Sequence, residues 1–332
     1  MSEPLHIISL GAGVQSSTMA LMAAFGEITP MPNAAIFADT QDEPASVYRW
    51  LDWLEPRLSN GLGAHSFPLY RVTAGSLSAS ALKMKFTKDG RRFTTTNIPF
   101  FAKAANGDKG KVKLRGCTRD FKLIPIKTKA AELVGILVLR EWRKKWRTEL
   151  RVWSAWKKLS AAAEAARKAG KPIPAVPAFP KAEWNAMQAD CLAIQWIGIS
   201  LDEMARMKPS RDPWLRSRWP LIEKEMSRHD CKRWMTAHNF PEPPRSACVY
   251  CPHHSNSEWR RLRDSEPAEF EKAVQFEKGV QREKLHSQNF NSTPFLHRSC
   301  VPLDQVDLST DEDRGQGILA GFNAECEGMC GV

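Results

Sequence analysis

The chain opens on a short apolar run, "LHIISL" (5–10), then the turn-forming "GAGVQ" and the stretch "SSTMALMAAFG" (16–26). An apolar run bounded by glycine fits a buried strand. Ser16 reads as a helix cap, "TMALMAAF" as a propagating stretch and Gly26 as its stop. "NAAIFADT" (33–40) repeats the strand pattern and ends on polar Asp39 and Thr40. "ASVYRWLDWLEPRL" (45–58) has the spacing of an amphipathic helix, and "FPLYRVTAG" (67–75) and "LAIQWIGIS" (192–200) return to strand character. Strands alternating with helices predict an α/β fold, a doubly wound parallel sheet with ligands at the carboxyl ends of its strands.

Other stretches break that rhythm. Residues 82–116 are basic and weakly periodic and read as a mobile loop region, and 129–168 as a long helix or helical hairpin. "GKPIPAVPAFPK" (170–181) is too proline-rich to be helical throughout. Beyond about 221 the pattern is mostly helical and ends in a Gly- and Cys-containing tail. The expected organisation is a nucleotide-binding α/β domain over 1–128 and 182–219, a basic helical insertion over 129–181, and a C-terminal helical region over 220–332.

Residues 5–26 contain no Lys, Arg, Asp or Glu, which raises the question of a membrane segment. Gly11, Gly13, Gln15, Ser16, Ser17 and Thr18 interrupt the run at its middle, and a span needs about 20 mostly apolar residues. The first basic residue is Arg49, so the basic region of a secretory signal is missing. The expectation is a cytoplasmic protein with no membrane partner. In that reducing setting the eight cysteines point to metal or redox chemistry before structural disulfides. A net charge of +11 favours an anionic partner or serves solubility.

A strand, a glycine turn and a helix N-terminus bring several backbone N–H groups to one spot, which suits a phosphate. Gly11 and Gly13 permit the tight backbone and Ser16 and Ser17 add hydroxyl donors, although the same residues also build a plain strand–helix turn. Asp39 and Thr40 would lie beside this loop, where a carboxylate holds a ribose hydroxyl or magnesium, or only caps a turn. "CVYC" (248–251) with Cys117 supplies thiolates for a metal, a redox dithiol or inert packing. Cys300, Cys326 or Cys330 could complete an iron–sulfur set, and His253 or His254 a zinc set. Cys191 and Cys231 sit in apolar or helical patterns and read as core. Cys326 and Cys330 in the tail are equally a swinging nucleophile, further ligands or part of a disordered end. Trp142, Trp146, Trp153 and Trp156 form one stripe among Arg140, Arg143, Lys144, Lys145, Arg147, Arg151, Lys157 and Lys158. Such a surface stacks bases and neutralises phosphates of tRNA or DNA, or packs its Trp stripe on the main domain. Arg260, Arg261 and Arg263 are likewise phosphate ligands or helix cover.

Taken in order, "SLGAGVQSS", "IFADTQDEPASVYRWLDWL", "RGCTRDFKLIPI" (115–126) and "GISLDEMARM" (198–207) resemble the phosphoadenosine-phosphosulfate reductase family of the PP-loop adenine-nucleotide α-hydrolase superfamily. The third is similar to the family's Cys-Thr-x-x-x-Lys-x-x-Pro segment through Cys117, Thr118, Lys122 and Pro125. The fourth is similar to a strand-end motif through Gly198, Asp202, Glu203 and Arg206. "PLIEKEMSRHDCKRWMTAHNFPEPPRSACVYCPHH" (220–254) follows the family's helix, turn and CxxC. Where ATP-cleaving members carry Ser-Gly-Gly-x-Asp-Ser, Gln15 replaces the Asp, and Gly116 replaces the first of the Cys pair found in cluster-bearing reductases.

The resemblance implies a fold of adenine-nucleotide α-hydrolase type. It also implies a nucleotide held by Ser9, Gly11, Gly13, Gln15, Ser16, Ser17, Asp39, Thr40, Gly198, Asp202 and Glu203. Lys122 and Arg206 would contact phosphate, and Cys117, Cys248 and Cys251 would hold an iron–sulfur cluster or zinc. The leading expectation is ATP with magnesium, adenylation with pyrophosphate release, and sulfur transfer or nucleobase modification. The alternatives are an adenylyl sulfate reductase, with Cys326 or Cys330 attacking sulfur and a thioredoxin-like partner resolving the intermediate, and a nucleic-acid-binding regulator that keeps the pocket without turnover.

Overall fold

The computed structural model describes residues 3–61, 65–94, 98–104, 106–111, 116–285, 292–310 and 313. The strands are β1 (Leu5–Leu10), β2 (Ala34–Asp39), β3 (Leu69–Thr73), β4 (Met84–Phe86), β5 (Arg92–Thr94), β6 (Phe101–Ala104), β7 (Lys109–Lys111), β8 (Ala193–Ile197), β9 (Leu215–Arg218) and β10 (Ser292–Phe295). The helices of the first half are α1 (Val14–Ala24), α2 (Ala45–Ser59), α3 (Leu77–Leu82), α4 (Ile124–Val134), α5 (Ile136–Lys145) and α6 (Arg147–Lys168). They are followed by α7 (Lys181–Ala189), α8 (Pro220–Glu223), α9 (Arg228–Ala237), α10 (Asn256–Ser265) and α11 (Pro267–Leu285). No described helix is long and apolar enough to cross a membrane.

Five strands form one sheet in the order β3-β2-β1-β8-β9. Every neighbouring pair in it is parallel. The two-residue period of a strand divides each apolar run between two faces. Ile8, Leu10, Ala35, Phe37, Ile194 and Trp196 enter one core with residues of α1, α2 and α9. Ile7, Ile36, Ala38, Ala193 and Leu215 enter the opposite core with residues of α4, α5 and α7. Both faces are therefore covered, which is why the strands read as continuous apolar runs instead of alternating ones. All of α1 is buried, which accounts for the absence of charge in the opening segment.

The strand order reverses between β1 and β8, and the carboxyl ends of those two strands open the crevice in which a doubly wound sheet takes its ligand. The expected doubly wound α/β architecture is thus present. Several local expectations differ. Helix α1 starts at Val14 with Gly13 at its cap, so Ser16 and Ser17 lie inside the first turn. The stretch expected to be loop contains two short antiparallel pairings, β4 with β5 and β6 with β7, and β6 also pairs with β10. The helical insertion is three helices: Gly135, at φ 94°, separates α4 from α5, and Trp146 separates α5 from α6. The C-terminal region divides as well: Leu221, Cys231 and Met235 join the α1 core, whereas Ala247 to Cys251 join a third core with Leu77, Ile98 and Phe100.

A buried histidine ties down the turn that follows β10. His297 donates from Nε2 to Asn256 Oδ1 (3.1 Å), and its Nδ1 accepts from the backbone N–H of Ser299 (3.2 Å). Burial, with the nearby Arg298 charge, lowers its pKa to about 4. The unfolded chain binds that proton near pH 6.5, so stability is lost as pH falls from about 6.5 to 4, by up to ~1.4 kcal/mol per pH unit. Urea midpoints over this range should fall more steeply for the wild-type protein than for His297→Gln. Parallel pH curves would contradict the assignment.

Candidate functional site

At the switch point, Ser9, Gly11, Gly13, Gln15, Ser16, Ile197, Gly198, Glu203, Arg206 and Ser246 line one pocket. Its floor is the start of α1. No side chain caps this helix, so first-turn N–H groups are left for a ligand. Ala12 takes a positive φ of 61°, a strained conformation for alanine that turns the chain from β1 into α1. Ser16 Oγ accepts from Gly11 N–H (3.1 Å), and Ser246 Oγ donates to the Gly11 carbonyl, which closes the loop from the other side.

Gly198 is the tightest point. A Cβ there would lie 2.8 Å from both Cα and N of Ser16, so only glycine lets β8 approach the helix this closely. Beyond it the 3-10 turn Leu201–Arg206 carries Glu203 and Arg206, paired at 2.5 Å. Burial raises the Glu203 pKa against the pull of Arg206. The guanidinium at the pocket wall and the bare helix terminus give the site a positive character suited to phosphate.

The expected nucleotide residues divide. Ser9, Gly11, Gly13, Gln15, Ser16, Gly198 and Glu203 line the pocket, as does Arg206. The Gln15 carboxamide accepts from Arg228 (2.9 Å) and donates to Ser200 Oγ (3.4 Å), which ties α1 to α9 and gives a neutral side chain a reason to stand there. Ser17 is buried and accepts from Trp50 Nε1 (2.9 Å), a packing role. Asp39 accepts from Gln41 N–H (2.7 Å) and Tyr48 (2.9 Å), and burial with that bond pushes the Tyr48 phenol up. Asp202 accepts from the backbone N–H of Arg228 (2.8 Å).

A second pocket adjoins through chain 245–254. Cys117, Cys248 and Cys251 line it together with Thr40, Leu77, Ile98, Pro99, Thr118, Lys122, Pro252 and His253. The CxxC is wound into consecutive turns, Cys251 N–H to the Cys248 carbonyl (3.0 Å) and His254 N–H to the Cys251 carbonyl (3.1 Å). Val249 N–H donates to the Asp42 carbonyl (2.8 Å), so this loop spans from the Gly11 turn to the end of β2. Three expected ligands thus share one pocket from distant segments. Among the described residues, however, no three His, Cys, Asp or Glu side chains stand where one metal ion could be held. Zinc draws thiolates to about 2.3 Å of a single point, and the three thiols are not gathered in that way.

Lys122, expected to contact phosphate, lines this thiol pocket and not the pocket at the start of α1. It pairs with Glu43 at 3.2 Å, and Thr40 Oγ1 donates to the same carboxylate (3.1 Å). The Glu43 side chain is wholly buried. Cys300 is absent from the lining, and Cys326 and Cys330 lie outside the described residues. His253 lines the pocket; His254 is buried, directs Nε2 to the Cys248 carbonyl (3.1 Å), and has its pKa lowered by burial to about 3. Cys191 and Cys231 are core residues as expected, and burial pushes the Cys231 thiol up to about 12. Arg260, Arg261 and Arg263 are engaged by Asp313, by Glu258 and Glu266, and by Asp264, so they cover their helix.

Lys122→Met would strand the buried Glu43 carboxylate, a change that costs about 3–5 kcal/mol. Urea unfolding should show that loss, and Lys122→Met/Glu43→Gln should recover most of it. A single variant within about 0.5 kcal/mol of wild type would mean the pair carries no such weight. Comparison with protein-family models, curated proteins and solved structures finds no match, so function is argued from this geometry.

Proposed function

We propose that the protein is an adenine-nucleotide-dependent enzyme of the PP-loop, phosphoadenosine-phosphosulfate reductase-like kind, which activates a substrate oxygen as an adenylate and replaces it with sulfur or another nucleophile. The observation that carries this reading is the adjacency of two pockets on one loop: Ser246 on the phosphate side and Cys248 on the thiol side. The switch-point position of the first pocket supports the adenine-nucleotide α-hydrolase type of fold.

The triphosphate would rest on the N–H groups of Gly13 to Ser16, with Arg206 against its charge. A substrate oxygen attacks the α-phosphorus, the α–β anhydride bond breaks, and pyrophosphate leaves while the adenylate ester forms. A hydrosulfide ion then attacks the carbon that bears the activated oxygen, the carbon–sulfur bond forms as the carbon–oxygen bond breaks, AMP leaves with that oxygen, and the sulfur gives up its proton to solvent. Fixed N–H dipoles and Arg206 stabilise the charge that grows on the leaving group, because they need no reorganisation as it forms. Asp39, at the end of β2 and outside the lining of that pocket, would share a magnesium ion with the phosphates, which would ease pyrophosphate departure. Cys117, Cys248 and Cys251 would hold an iron–sulfur cluster, whose chemistry here is the binding and delivery of sulfur. Glu43 and Thr40 hold Lys122 in place in the wall of the same pocket.

The test is anaerobic product analysis with labelled ATP, and separately with adenylyl sulfates. AMP and pyrophosphate are the expected products, with Arg206→Ala lowering turnover about 100-fold. Sulfite release from an adenylyl sulfate would replace this reading with the reductase. Tight ATP binding with neither product would make the chain a nucleotide-binding regulator.

A further inference from the structure

The Trp stripe of the insertion is consumed by packing. Trp142 donates to the Asp190 carbonyl (2.6 Å), Trp146 to the Asp190 carboxylate (2.5 Å) and Trp156 to the Pro177 carbonyl (3.1 Å). Trp153 is buried between Trp156 and Trp184, with centroids 5.4 and 4.6 Å away. Trp142 and Trp153 are buried and Trp146 and Trp156 half-buried, and all four are engaged in these contacts within the chain.

The cations face the other way. Arg140, Arg143, Arg147, Arg151, Lys157 and Lys158 are exposed, and none makes an ion pair with another described residue. Elsewhere Arg71, Arg119, Arg218, Arg233 and Arg263 each hold a carboxylate, and what sets this face apart is that its six cations lie together on two successive helices. Helical hydrogen bonding carries across the Trp146 junction, Trp146 N–H to the Trp142 carbonyl and Leu150 N–H to the Trp146 carbonyl. At 3.6 residues per turn, Arg140, Arg147, Arg151 and Lys158 fall within about 40° of one another, on a stripe about 27 Å long. Glu141 and Glu149 fall off that stripe.

We propose that this unpaired cationic stripe on α5 and α6 is a docking surface for the phosphate backbone of duplex DNA. Its length matches about eight base-pair steps at 3.4 Å each. A helix about 10–12 Å across suits the roughly 12 Å major groove of B-form DNA and not the deep, narrow groove of an RNA helix. The stripe itself presents cations, whereas the exposed apolar residues of these helices, Ile136, Leu137, Val138, Val152 and Leu159, lie beside it or before its first arginine, and vesicle binding is therefore one arm of the test. The contact is sequence-independent, because backbone pairing reads no base edge. This inference does not rest on the nucleotide reading: a failed ATP assay would leave it standing, and the reverse also holds.

The test is fluorescence anisotropy of a labelled 30-base-pair duplex with the full chain, at several salt concentrations. Arg140→Gln/Arg147→Gln/Arg151→Gln/Lys158→Gln should weaken binding at least tenfold near 0.1 M salt and reduce the slope of log K against log salt by about three to four. Lys83→Gln/Lys85→Gln/Lys88→Gln/Arg91→Gln, an equal loss of charge around the β4–β5 hairpin, should change affinity less than threefold. Circular dichroism and the urea unfolding midpoint serve as folding controls. Equal loss in both variants, no duplex binding by wild type, or preference for tRNA or phosphatidylserine vesicles would each overturn the proposal.

Discussion

The packing of Gly198 against the first turn of α1 is the constraint on which the site depends. With 2.8 Å between the place of a Cβ and the Ser16 backbone, strand and helix meet as closely as backbone allows. That contact fixes the helix terminus at the reversal of strand order. It also starts the turn that delivers Arg206 to the same pocket. Because the sheet is covered on both faces, only its carboxyl edge is left for chemistry.

The edge is organised by a loop from a different core. Ser246 closes on Gly11, Val249 on Asp42, and Cys248 and Cys251 face Cys117 and Lys122 across the second pocket. The pocket at the start of α1 and the thiol pocket are thereby linked through one serine hydroxyl bond and one backbone bond. The buried Lys122–Glu43 pair fixes part of the thiol pocket's wall. A cation kept there needs a counter-charge that cannot drift, and a fully buried carboxylate provides it.

Much of the sheet was legible in the sequence because double-sided burial leaves uninterrupted apolar runs; β1 matches its expected bounds and β2, β3 and β8 lie within theirs. The start of α1 was not, since serine marks a cap in most helices and here serves inside the turn, with Gly13 at the cap. The β4–β5 and β6–β7 pairings escaped because three- and four-residue strands carry almost no period. Glycine and cysteine spacing pointed to segments that line the two pockets. What stayed hidden was long-range: Arg228 reaches Gln15 across 213 positions, and Ser246 reaches Gly11 across 235. Glu43 had only the faint signal of an acid between a strand end and a helix start. The Trp stripe was visible, but its inward direction depends on Asp190 and Pro177, which no local pattern links to it.

The account's central claim is that the uncapped first turn of α1 receives the phosphates of an adenine nucleotide. Amide hydrogen exchange with and without ATP, under anaerobic conditions, addresses it most directly. The account predicts slowed exchange confined to residues 11–18 and 198–206, with smaller protection across 245–251. Unchanged exchange at Val14 to Ser17 under saturating nucleotide, or protection confined to another part of the chain, would contradict it.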